Sequence, residues 1–283
     1  MKPGTVLISG ASGGIGAATA RAFVDLGWQV LAGTRFPEKI PASGTIRPIR
    51  LDPASAQDRQ ALVELLAREF AGRLDVLVNN AGYAQSGALE LLSEADWHDQ
   101  MAGNLIAPAL LTAALLPALR AAQGCIINVS SILGRTGFAW QGAYCASKFG
   151  LEGWSESLLL ETQGQGVRVH LVEPGSTRSN FGRQMRMVDA SASPYRVLAE
   201  KFAATRARLA QRAQAPERVA ALIVRTATRP PAPFRQTIGR DARLTALLLR
   251  LLPAPAYLAL SKALARRLFG LRAVSLRLLD LRP

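Results

Sequence analysis

The sequence predicts an α/β fold in which a doubly wound parallel sheet is covered by helices on both faces. Short apolar runs rich in β-branched residues alternate with longer segments of helical spacing. Continuous apolar strands are typical of parallel sheets buried on both faces, and strand–helix alternation indicates right-handed crossovers. The chain has 283 residues, of which 49% are hydrophobic and 19% charged. This composition suits a globular domain with a substantial core.

The order of the elements along the chain supports this topology. Strands are predicted at residues 5–9, 29–33, 46–51, 76–79, 126–130 and 167–172. Helices are predicted between them at residues 15–26, 56–70, 95–120 and 143–164. Gly27 ends the first helix, and the apolar spacing of the second gives it one buried face. Ligands bind beyond the carboxyl ends of the strands in such sheets, so functional residues are expected directly after each strand.

The pattern changes after the sixth strand. Residues 176–215 are polar, basic and partly helical, as expected of a mobile lid over a site. Residues 228–233 are a proline-rich breaker, and residues 244–252 and 256–268 are leucine-rich and amphipathic. The chain is therefore predicted to form one domain of residues 1–234, which includes the lid, and a basic amphipathic helical extension of residues 235–283.

The charge distribution concerns the extension most. The net charge is +14, and residues 235–283 hold ten Lys and Arg against Asp241 and Asp280. The extension either packs on the substrate pocket or a second subunit, or lies on an anionic membrane surface. We favour packing. No basic strand interleaved with aromatic residues is present in the sequence, so nucleic-acid binding is not expected.

Other features exclude several protein classes. Cys125 and Cys145 have no paired spacing, so neither a disulfide framework nor a metal site is indicated, and both are expected to be buried. Residues 101–119 are uncharged and long enough to span a membrane. That stretch contains Asn104 and two prolines and lies among strand signals, so a buried helix is expected. No secretory signal is visible, and a cytoplasmic location is expected.

A glycine-rich turn joins the first strand to the first helix. Gly10, Gly14 and Gly16 form a Gly-x-x-x-Gly-x-Gly pattern that lets a backbone approach a pyrophosphate at the positive N-terminus of a helix. This indicates a dinucleotide site, in which Ser12 and Ile15 are expected to contact the cofactor together with the three glycines.

The end of the second strand indicates which dinucleotide is preferred. A site for NAD usually places a carboxylate there for the ribose hydroxyls, whereas a site for NADP needs a cation. The strand ends in Gly33-Thr34-Arg35, without a carboxylate. Because a guanidinium pairs well with a 2′-phosphate, we predict NADP rather than NAD as the cofactor.

Ser131, Tyr144 and Lys148 form the strongest candidate catalytic group. Tyr144 and Lys148 are four residues apart, so both project from one face of a helix. A phenol with a pKa near 10 is a poor base, and a nearby ammonium is expected to lower that pKa. Ser131 follows the fifth strand and is expected to hydrogen-bond the reacting oxygen. The combination with the glycine turn makes chance a poor explanation for this spacing.

These motifs together resemble the short-chain dehydrogenase/reductase family, which has a Rossmann-type fold. The agreement spans residues 5–180. The matching motifs are the Gly10-Gly14-Gly16 turn, Asp52, Asn79-Asn80-Ala81-Gly82, Asn104, Asn128-Val129-Ser130-Ser131, Tyr144-Cys145-Ala146-Ser147-Lys148 and Pro174-Gly175.

The resemblance implies a role for each matching position. Tyr144 is the proton donor or acceptor, Ser131 holds the carbonyl oxygen, and Lys148 lowers the Tyr144 pKa and binds the nicotinamide ribose. Asn104 fixes a water that links the lysine to solvent, and Asp52 meets the adenine. Further cofactor contacts are expected from Asn79, Ala81, Gly82, Pro174, Gly175, Ser176 and Ser179.

The sequence departs from the family pattern at three positions, one of which is Pro53 after Asp52, where a proline only fixes the turn. Gly13 stands where many NADP-dependent members carry a basic residue, and Ser179 stands where threonine is usual. Residues 144–152 and 171–175 resemble the subset with 17β-hydroxysteroid and retinol dehydrogenases, which implies a lipophilic alcohol or ketone as substrate. Family resemblance also implies a homo-oligomer. We therefore expect an NADP-dependent oxidoreductase; the alternative is a nicotinamide-binding sensor or membrane-surface protein without turnover.

Overall fold

The computed structural model describes residues 3–42, 44–179, 181 and 185–269, and its centre is a seven-stranded parallel sheet. The strands in the described residues are β1 (Thr5–Ser9), β2 (Gln29–Thr34), β3 (Ile46–Arg50), β4 (Val76–Asn79), β5 (Gln85–Ser86), β6 (Cys125–Val129), β7 (Arg168–Pro174), β8 (Arg186–Met187) and β9 (Arg235–Ile238). The sheet order is β3-β2-β1-β4-β6-β7-β9, and β5 pairs with β8 outside it. The predicted doubly wound α/β fold is therefore confirmed.

Helices connect the strands and cover both faces of the sheet. They are α1 (Gly14–Val24), α2 (Ala56–Glu69), α3 (Glu94–Met101), α4 (Ala107–Ala122), α5 (Gly142–Glu161), α6 (Arg196–Gln211), α7 (Pro216–Thr228), α8 (Arg240–Leu251) and α9 (Ala254–Phe269). Helices α1 and α7 pack on one face, and α2, α4 and α5 pack on the other.

The alternation of side chains along β1 shows how the two layers form. Val6 and Ile8 point to the layer that contains Phe23 of α1 and Ile223 of α7. Leu7 points to the opposite layer, and all five side chains are fully buried. Because consecutive strand residues face opposite sides, an uninterrupted apolar strand fills both layers.

The long helical region from Glu94 to Ala122 is interrupted by a π-helical segment. α3 begins with a Ser93–Asp96 capping box, and residues Ala102–Ile106 between α3 and α4 have π-helical hydrogen bonding. The region is long and apolar enough to cross a membrane by length and composition alone. Leu111 and Leu115 on α4 are fully buried in the layer with α2 and α5, which fits the expected sheet-packed helix.

Four of the strands and helices were not predicted from the sequence. β9 is a short edge strand with alternating burial, and α7 lies between the predicted lid and the proline-rich breaker. The β5–β8 pair has only two residues in each strand. Since β9 belongs to the main sheet, the predicted boundary at residue 235 cuts through the sheet domain. The helices after the sheet begin at Arg240, and residues 270–283 of the predicted extension lie outside the described residues.

Candidate active site

The glycine turn after β1 is shaped for close approach of another group. Gly10 and Gly14 have φ angles of +68° and +52°, which favour glycine. A Cβ on Gly10 would lie 2.9 Å from the Ala81 Cα, and one on Gly16 would overlap the Gly10 carbonyl oxygen. Among the residues that the structure describes, no side chain caps the N-terminus of α1 at Gly13. The turn therefore presents a crowded backbone cradle at a positive helix end, which fits a pyrophosphate.

The loop after β4 holds the glycine turn in place. The Asn80 side-chain nitrogen donates to the Ser9 and Gly10 carbonyl oxygens at 3.0 and 3.1 Å, and the Ala81 N–H donates to the Ser9 hydroxyl at 3.1 Å. Asn79 was expected to line the cofactor. Its amide instead donates to Thr112 and Asn128 within the core, so its side chain supports the sheet.

Two cations follow β2. The Arg35 guanidinium carbon and the Lys39 Nζ lie 5.9 and 4.3 Å from the centre of the Phe36 ring. Both cations are exposed, and no carboxylate lies within 4.0 Å of either among the described residues. Lys39 was not singled out from the sequence. Asp52, after β3, accepts a hydrogen bond from the Ala54 N–H at 3.1 Å in the turn at Pro53.

Asn104 lies in the π-helical segment and joins the β4 loop to α5. Its side-chain nitrogen donates to the Tyr83 carbonyl oxygen at 2.9 Å and the Ser147 hydroxyl at 3.1 Å. Its side-chain oxygen accepts from the Tyr83 N–H at 3.1 Å and would contact a Cβ on Gly82 at 3.0 Å. This buried network fixes the residue that precedes Lys148. The water expected at Asn104 stays a prediction.

Ser131, Tyr144 and Lys148 are brought together where β6 meets α5. The Ser131 hydroxyl lies near enough to the Tyr144 phenol to lower its pKa, and the Lys148 Nζ lies 5.9 Å from the Tyr144 ring centre. The Lys148 ammonium donates to the Val129 carbonyl oxygen at 2.9 Å. Tyr144 and Lys148 are 7% and 5% exposed. The arrangement places a phenol, a hydroxyl and a buried ammonium at one end of the sheet.

Burial governs the titration of this group. It raises the pKa of Tyr144 to about 12, although the Ser131 hydroxyl lowers it. It lowers the pKa of Lys148 to about 8, although the Glu152 carboxylate raises it. Burial therefore outweighs the expected lowering of the Tyr144 pKa, and the Lys148 ammonium donates to the Val129 carbonyl oxygen. The phenol is neutral at pH 7 and is suited to donate a proton.

The loop after β7 is held by residues from β9 and α8. The Asp241 carboxylate accepts from the Ser176 N–H at 2.7 Å, and a Cβ on Gly175 would overlap that carboxylate. The Gly175 N–H donates to the Ile238 carbonyl oxygen at 2.8 Å. Pro174 is the last residue of β7, and the preceding Glu173 is fully buried. Asp241 therefore supports the predicted cofactor loop, a role that its sequence position did not indicate.

Ser179 connects this loop to the glycine turn. A Cβ on Gly14 would lie 2.7 Å from the Ser179 Cβ, so the predicted lid begins directly over α1. The Phe181 ring lies 5.8 Å from the Tyr144 ring in an edge-to-face arrangement. The start of the lid therefore contacts two separate parts of the candidate site.

An apolar cluster covers the lid side of the site. Trp140 is 4% exposed and packs against Tyr195 and Phe202, at ring distances of 6.3 and 6.2 Å. A neighbouring cavity of about 360 Å³ is lined by Phe138, Trp140, Gly142, Tyr195 and Leu198, among others. Gly142 begins α5, two residues before Tyr144. This volume is within the range of small-molecule sites.

The second C-terminal helix packs on this cluster, as favoured from the sequence. The Phe269 ring of α9 meets the Phe138 ring edge-to-face at 5.6 Å, and the Tyr257 hydroxyl donates to the Thr136 hydroxyl at 2.7 Å. Helix α9 also contacts α6 of the lid. The C-terminal helices therefore help to enclose the apolar side.

Comparisons with known proteins agree with this geometry. The family model described as short chain dehydrogenase matches residues 4–189. A 3-ketodihydrosphingosine reductase of Bacteroides thetaiotaomicron is 40% identical over 183 residues, which are 64% of this chain and 66% of that protein.

Two solved structures share the fold over nearly the whole chain. A short-chain dehydrogenase from Streptomyces avermitilis is 34% identical with a TM-score of 0.79, covering 94% of this chain and 98% of that one. A short chain dehydrogenase from Burkholderia cenocepacia in complex with NADP is 22% identical, with a TM-score of 0.74 and the same coverage. The second likeness concerns the fold alone.

Proposed function

The chain belongs to the short-chain dehydrogenase/reductase family, and from this premise we propose an NADP-dependent enzyme that interconverts a carbonyl and a primary or secondary alcohol on a lipophilic small molecule. Membership makes the chain an NAD(P)-dependent alcohol/carbonyl oxidoreductase. The choice of NADP and the lipophilic substrate are our proposal. The observation that carries the chemistry is the buried Tyr144 phenol, which lies near the Ser131 hydroxyl and the Lys148 ammonium.

The residues present fit the cofactor, and each has a separate role in the reaction. Bound nicotinamide supplies hydride for reduction or accepts it in oxidation. The Gly10–Gly16 backbone cradle would hold the pyrophosphate. Ser131 would hold the substrate oxygen while Tyr144 donates a proton to it in the reductive direction. Because the phenol is neutral at pH 7, it is ready for this role, and the buried surroundings exclude water from the reacting oxygen.

Preference for NADP is supported by the two cations after β2. Arg35 and Lys39 both lie against Phe36, and the described residues offer neither of them a carboxylate within 4.0 Å. A 2′-phosphate would pair with these groups, whereas the unmodified ribose of NAD offers them no charge. Gly13 stands in the turn where many NADP-dependent relatives carry a basic residue. In this chain the proposed preference for NADP over NAD therefore depends on Arg35 and Lys39.

A lipophilic substrate is supported by the apolar side of the site. The cavity of about 360 Å³ beside α5 is lined largely by Phe138, Trp140 and Leu198, with Glu90 and Tyr195 as its polar members. A relative that is 40% identical is described as a reductase of 3-ketodihydrosphingosine, a ketone that bears a long alkyl chain. The resemblance to the 17β-hydroxysteroid and retinol dehydrogenase subset supports the same substrate class.

A series of methyl ketones with increasing chain length tests this proposal. Consumption of NADPH is followed by absorbance with ketones of about 4, 8 and 12 carbons at matched concentrations. We expect kcat/KM to rise about tenfold for each two added buried methylenes until the cavity is filled. Equal kcat/KM for all three ketones would contradict the lipophilic assignment, and NADPH binding without turnover of any carbonyl would favour the sensor alternative.

A homo-oligomer is supported by an exposed apolar surface on two neighbouring helices. Ile106 at the end of the π-helical segment, Leu110 in the first turn of α4 and Phe149 on α5 are 50%, 43% and 46% exposed. A Cβ on Gly150 would lie 2.7 Å from the Leu105 side chain, so α5 and the π-helical segment approach closely here. We propose that a second copy covers this surface. Sedimentation velocity of the wild type and of Phe149→Arg tests it, and an unchanged sedimentation coefficient would contradict it.

Peripheral membrane contact is proposed for the outer face of α8. Leu244, Leu247 and Leu251 share one face of the helix and are 50–67% exposed. Arg243 and Arg250 line a groove of about 410 Å³ beside Leu247. Exposed leucines flanked by arginines suit an anionic lipid surface. Pelleting with vesicles of phosphatidylcholine, with and without phosphatidylglycerol, tests this contact; a Leu247→Asp variant that still pellets would contradict it.

A further inference from the structure

A group of buried charges extends from Lys148, and Lys148 is the member of the group that the proposed reaction uses. We call this group the charge network; its members are Lys148 and Glu152 on α5, Glu173 on β7, Arg235 on β9, and Arg135 after β6. Lys148 and Glu152 are each 5% exposed, and Glu173 is fully buried. The arginine side chains are each 34% exposed.

Arg235 is the centre of the charge network. Its Nε lies 3.0 Å from Glu152 Oε2 and 3.8 Å from Glu173 Oε1. Its Nη2 donates to Glu156 Oε2 at 2.8 Å. Arg135 lies 3.7 Å from the other oxygen of Glu173. One guanidinium therefore faces three carboxylates, of which Glu156 alone is exposed, at 56%.

The Arg235 contact opposes the effect of burial on the Glu152 carboxylate. Burial raises the pKa of Glu152 most, the Ser130 hydroxyl lowers it, Glu173 raises it, and Arg235 lowers it. An isolated carboxylate at this depth would take up a proton, since desolvation disfavours the ionised form. The paired guanidinium opposes that effect, although the net pKa of Glu152 stays raised. Loss of the Arg235 contact would therefore favour the protonated form of Glu152 further.

The ionised Glu152 in turn acts on Lys148. The two residues are four apart on α5, so they share one face of the helix. The same region of backbone contacts both: a Cβ on Gly134 would lie 3.0 Å from Glu152 Cγ and 3.1 Å from the Lys148 carbonyl oxygen. Glu152 is the charged group that raises the pKa of Lys148 against the effect of burial. Tyr144 and Cys145, on the same helix, are both neutral at pH 7 because burial raises each pKa.

We propose that Glu152 is a positioning residue, whose carboxylate is held ionised by Arg235 and keeps the buried Lys148 ammonium charged beside Tyr144. This inference rests on the proposed function for its consequence, because a charged Lys148 is needed to bind the cofactor ribose. The geometry itself does not depend on turnover. In effect, β9 and β7 support the catalytic helix through charge as well as through packing.

Lysine titration by NMR tests the proposal directly in the free protein. The chain has only five lysines, so ε-13C-lysine labelling gives few signals, and a Lys148→Met variant assigns the relevant one. In Glu152→Gln, we expect Lys148 to lose its proton about one to two pH units lower than in the wild type. Glu156→Gln is the matched control, because it removes an exposed carboxylate from the same guanidinium. We expect that control to shift the Lys148 titration by less than about 0.3 units.

The pH dependence of NADPH binding and of ketone reduction gives a second readout. In the wild type both are expected to fall as Lys148 deprotonates, and in Glu152→Gln both are expected to fall at lower pH. Arg235→Gln is expected to shift them in the same direction, since Glu152 then takes up a proton. The Arg235→Gln variant provides the test if the Glu152→Gln protein fails to fold. Identical Lys148 titrations in the wild type, Glu152→Gln and Arg235→Gln would overturn the proposal while leaving the proposed reaction intact.

Discussion

Removal of the two cations after β2 is expected to change cofactor preference without harming the rest of the site. Arg35 and Lys39 follow β2, their side chains are exposed, and among the described residues neither is hydrogen-bonded to the glycine turn or to Tyr144. Their replacement by alanine therefore leaves the pyrophosphate cradle and the catalytic residues unchanged. The perturbation isolates the contribution of the 2′-phosphate, which distinguishes NADPH from NADH.

The exposure of both cations determines how much NADPH affinity is expected to be lost when they are removed. A hydrogen bond between a guanidinium and a phosphate changes affinity by about ten- to hundredfold when it is shielded from water. Arg35 and Lys39 are exposed, so solvent and salt bring the effect to the lower end of that range. We expect Arg35→Ala to raise the Kd for NADPH about tenfold, Lys39→Ala about threefold, and the double variant about thirtyfold. The Kd for NADH should change less than twofold.

Fluorescence titration with NADPH and NADH at two salt concentrations measures these constants. Arg21→Ala is the control, because Arg21 is an exposed arginine on α1 whose neighbour is Glu217. The loss of NADPH affinity in the double variant should be smaller at high salt, since screening already weakens the wild-type contact. Equal losses for NADPH and NADH, or no loss for either, would refute the assignment of Arg35 and Lys39 to the 2′-phosphate.

Three further predictions follow from the backbone cradle, the core and the loop after β7. Gly16→Ala should abolish cofactor binding in the titration, because its Cβ would overlap the Gly10 carbonyl oxygen; wild-type affinity would contradict that reasoning. Leu111→Ala should lower the free energy of unfolding in urea by about 3 kcal/mol, since Leu111 is fully buried, and a loss below about 1 kcal/mol would contradict it. Asp241→Ala should raise the KM for NADPH about threefold to tenfold by releasing the Ser176 N–H, while kcat at saturating cofactor stays within about twofold; a fall in kcat alone would contradict the positioning role.

Most of the fold and the chemistry at the strand ends could be predicted from the sequence. Most of the six predicted strands are short apolar runs, and the residues after them converge because parallel strands end at one edge. This is why Gly10, Ser131 and Pro174, far apart in the chain, could be assigned to one site. The helical spacing of Tyr144 and Lys148 then supplied the catalytic pair.

The residues that support the site were harder to predict. β9 has a polar, alternating pattern at a sheet edge. From the sequence, Arg235 was therefore assigned to a basic tail, whereas in the structure it is the partner of buried carboxylates. Asp241 acts by fitting against Gly175 and Gly239, a contact that depends on tertiary packing and leaves no periodic signal. Lys39 lies in a short turn after β2, where a lone lysine is usually a solvated surface residue.

The Tyr144 pKa shows a second limit of sequence reasoning. The spacing places a lysine near the phenol, but it specifies neither the burial of both groups nor the Val129 carbonyl that accepts the ammonium. Burial raises the phenol pKa to about 12, which outweighs the expected lowering. The sign of a pKa shift depends on solvation, and solvation is a property of the packed structure.

The central claim is that Tyr144 transfers the proton in an NAD(P)-dependent carbonyl reduction. Turnover of NADPH with a long-chain ketone, compared between the wild type and Tyr144→Phe, tests it most directly. The phenylalanine variant keeps the ring that packs against Phe181 and should bind NADPH with a Kd within about threefold of the wild type. We predict that its kcat falls at least about a hundredfold. A folded Tyr144→Phe protein that binds NADPH and retains wild-type turnover would contradict the account.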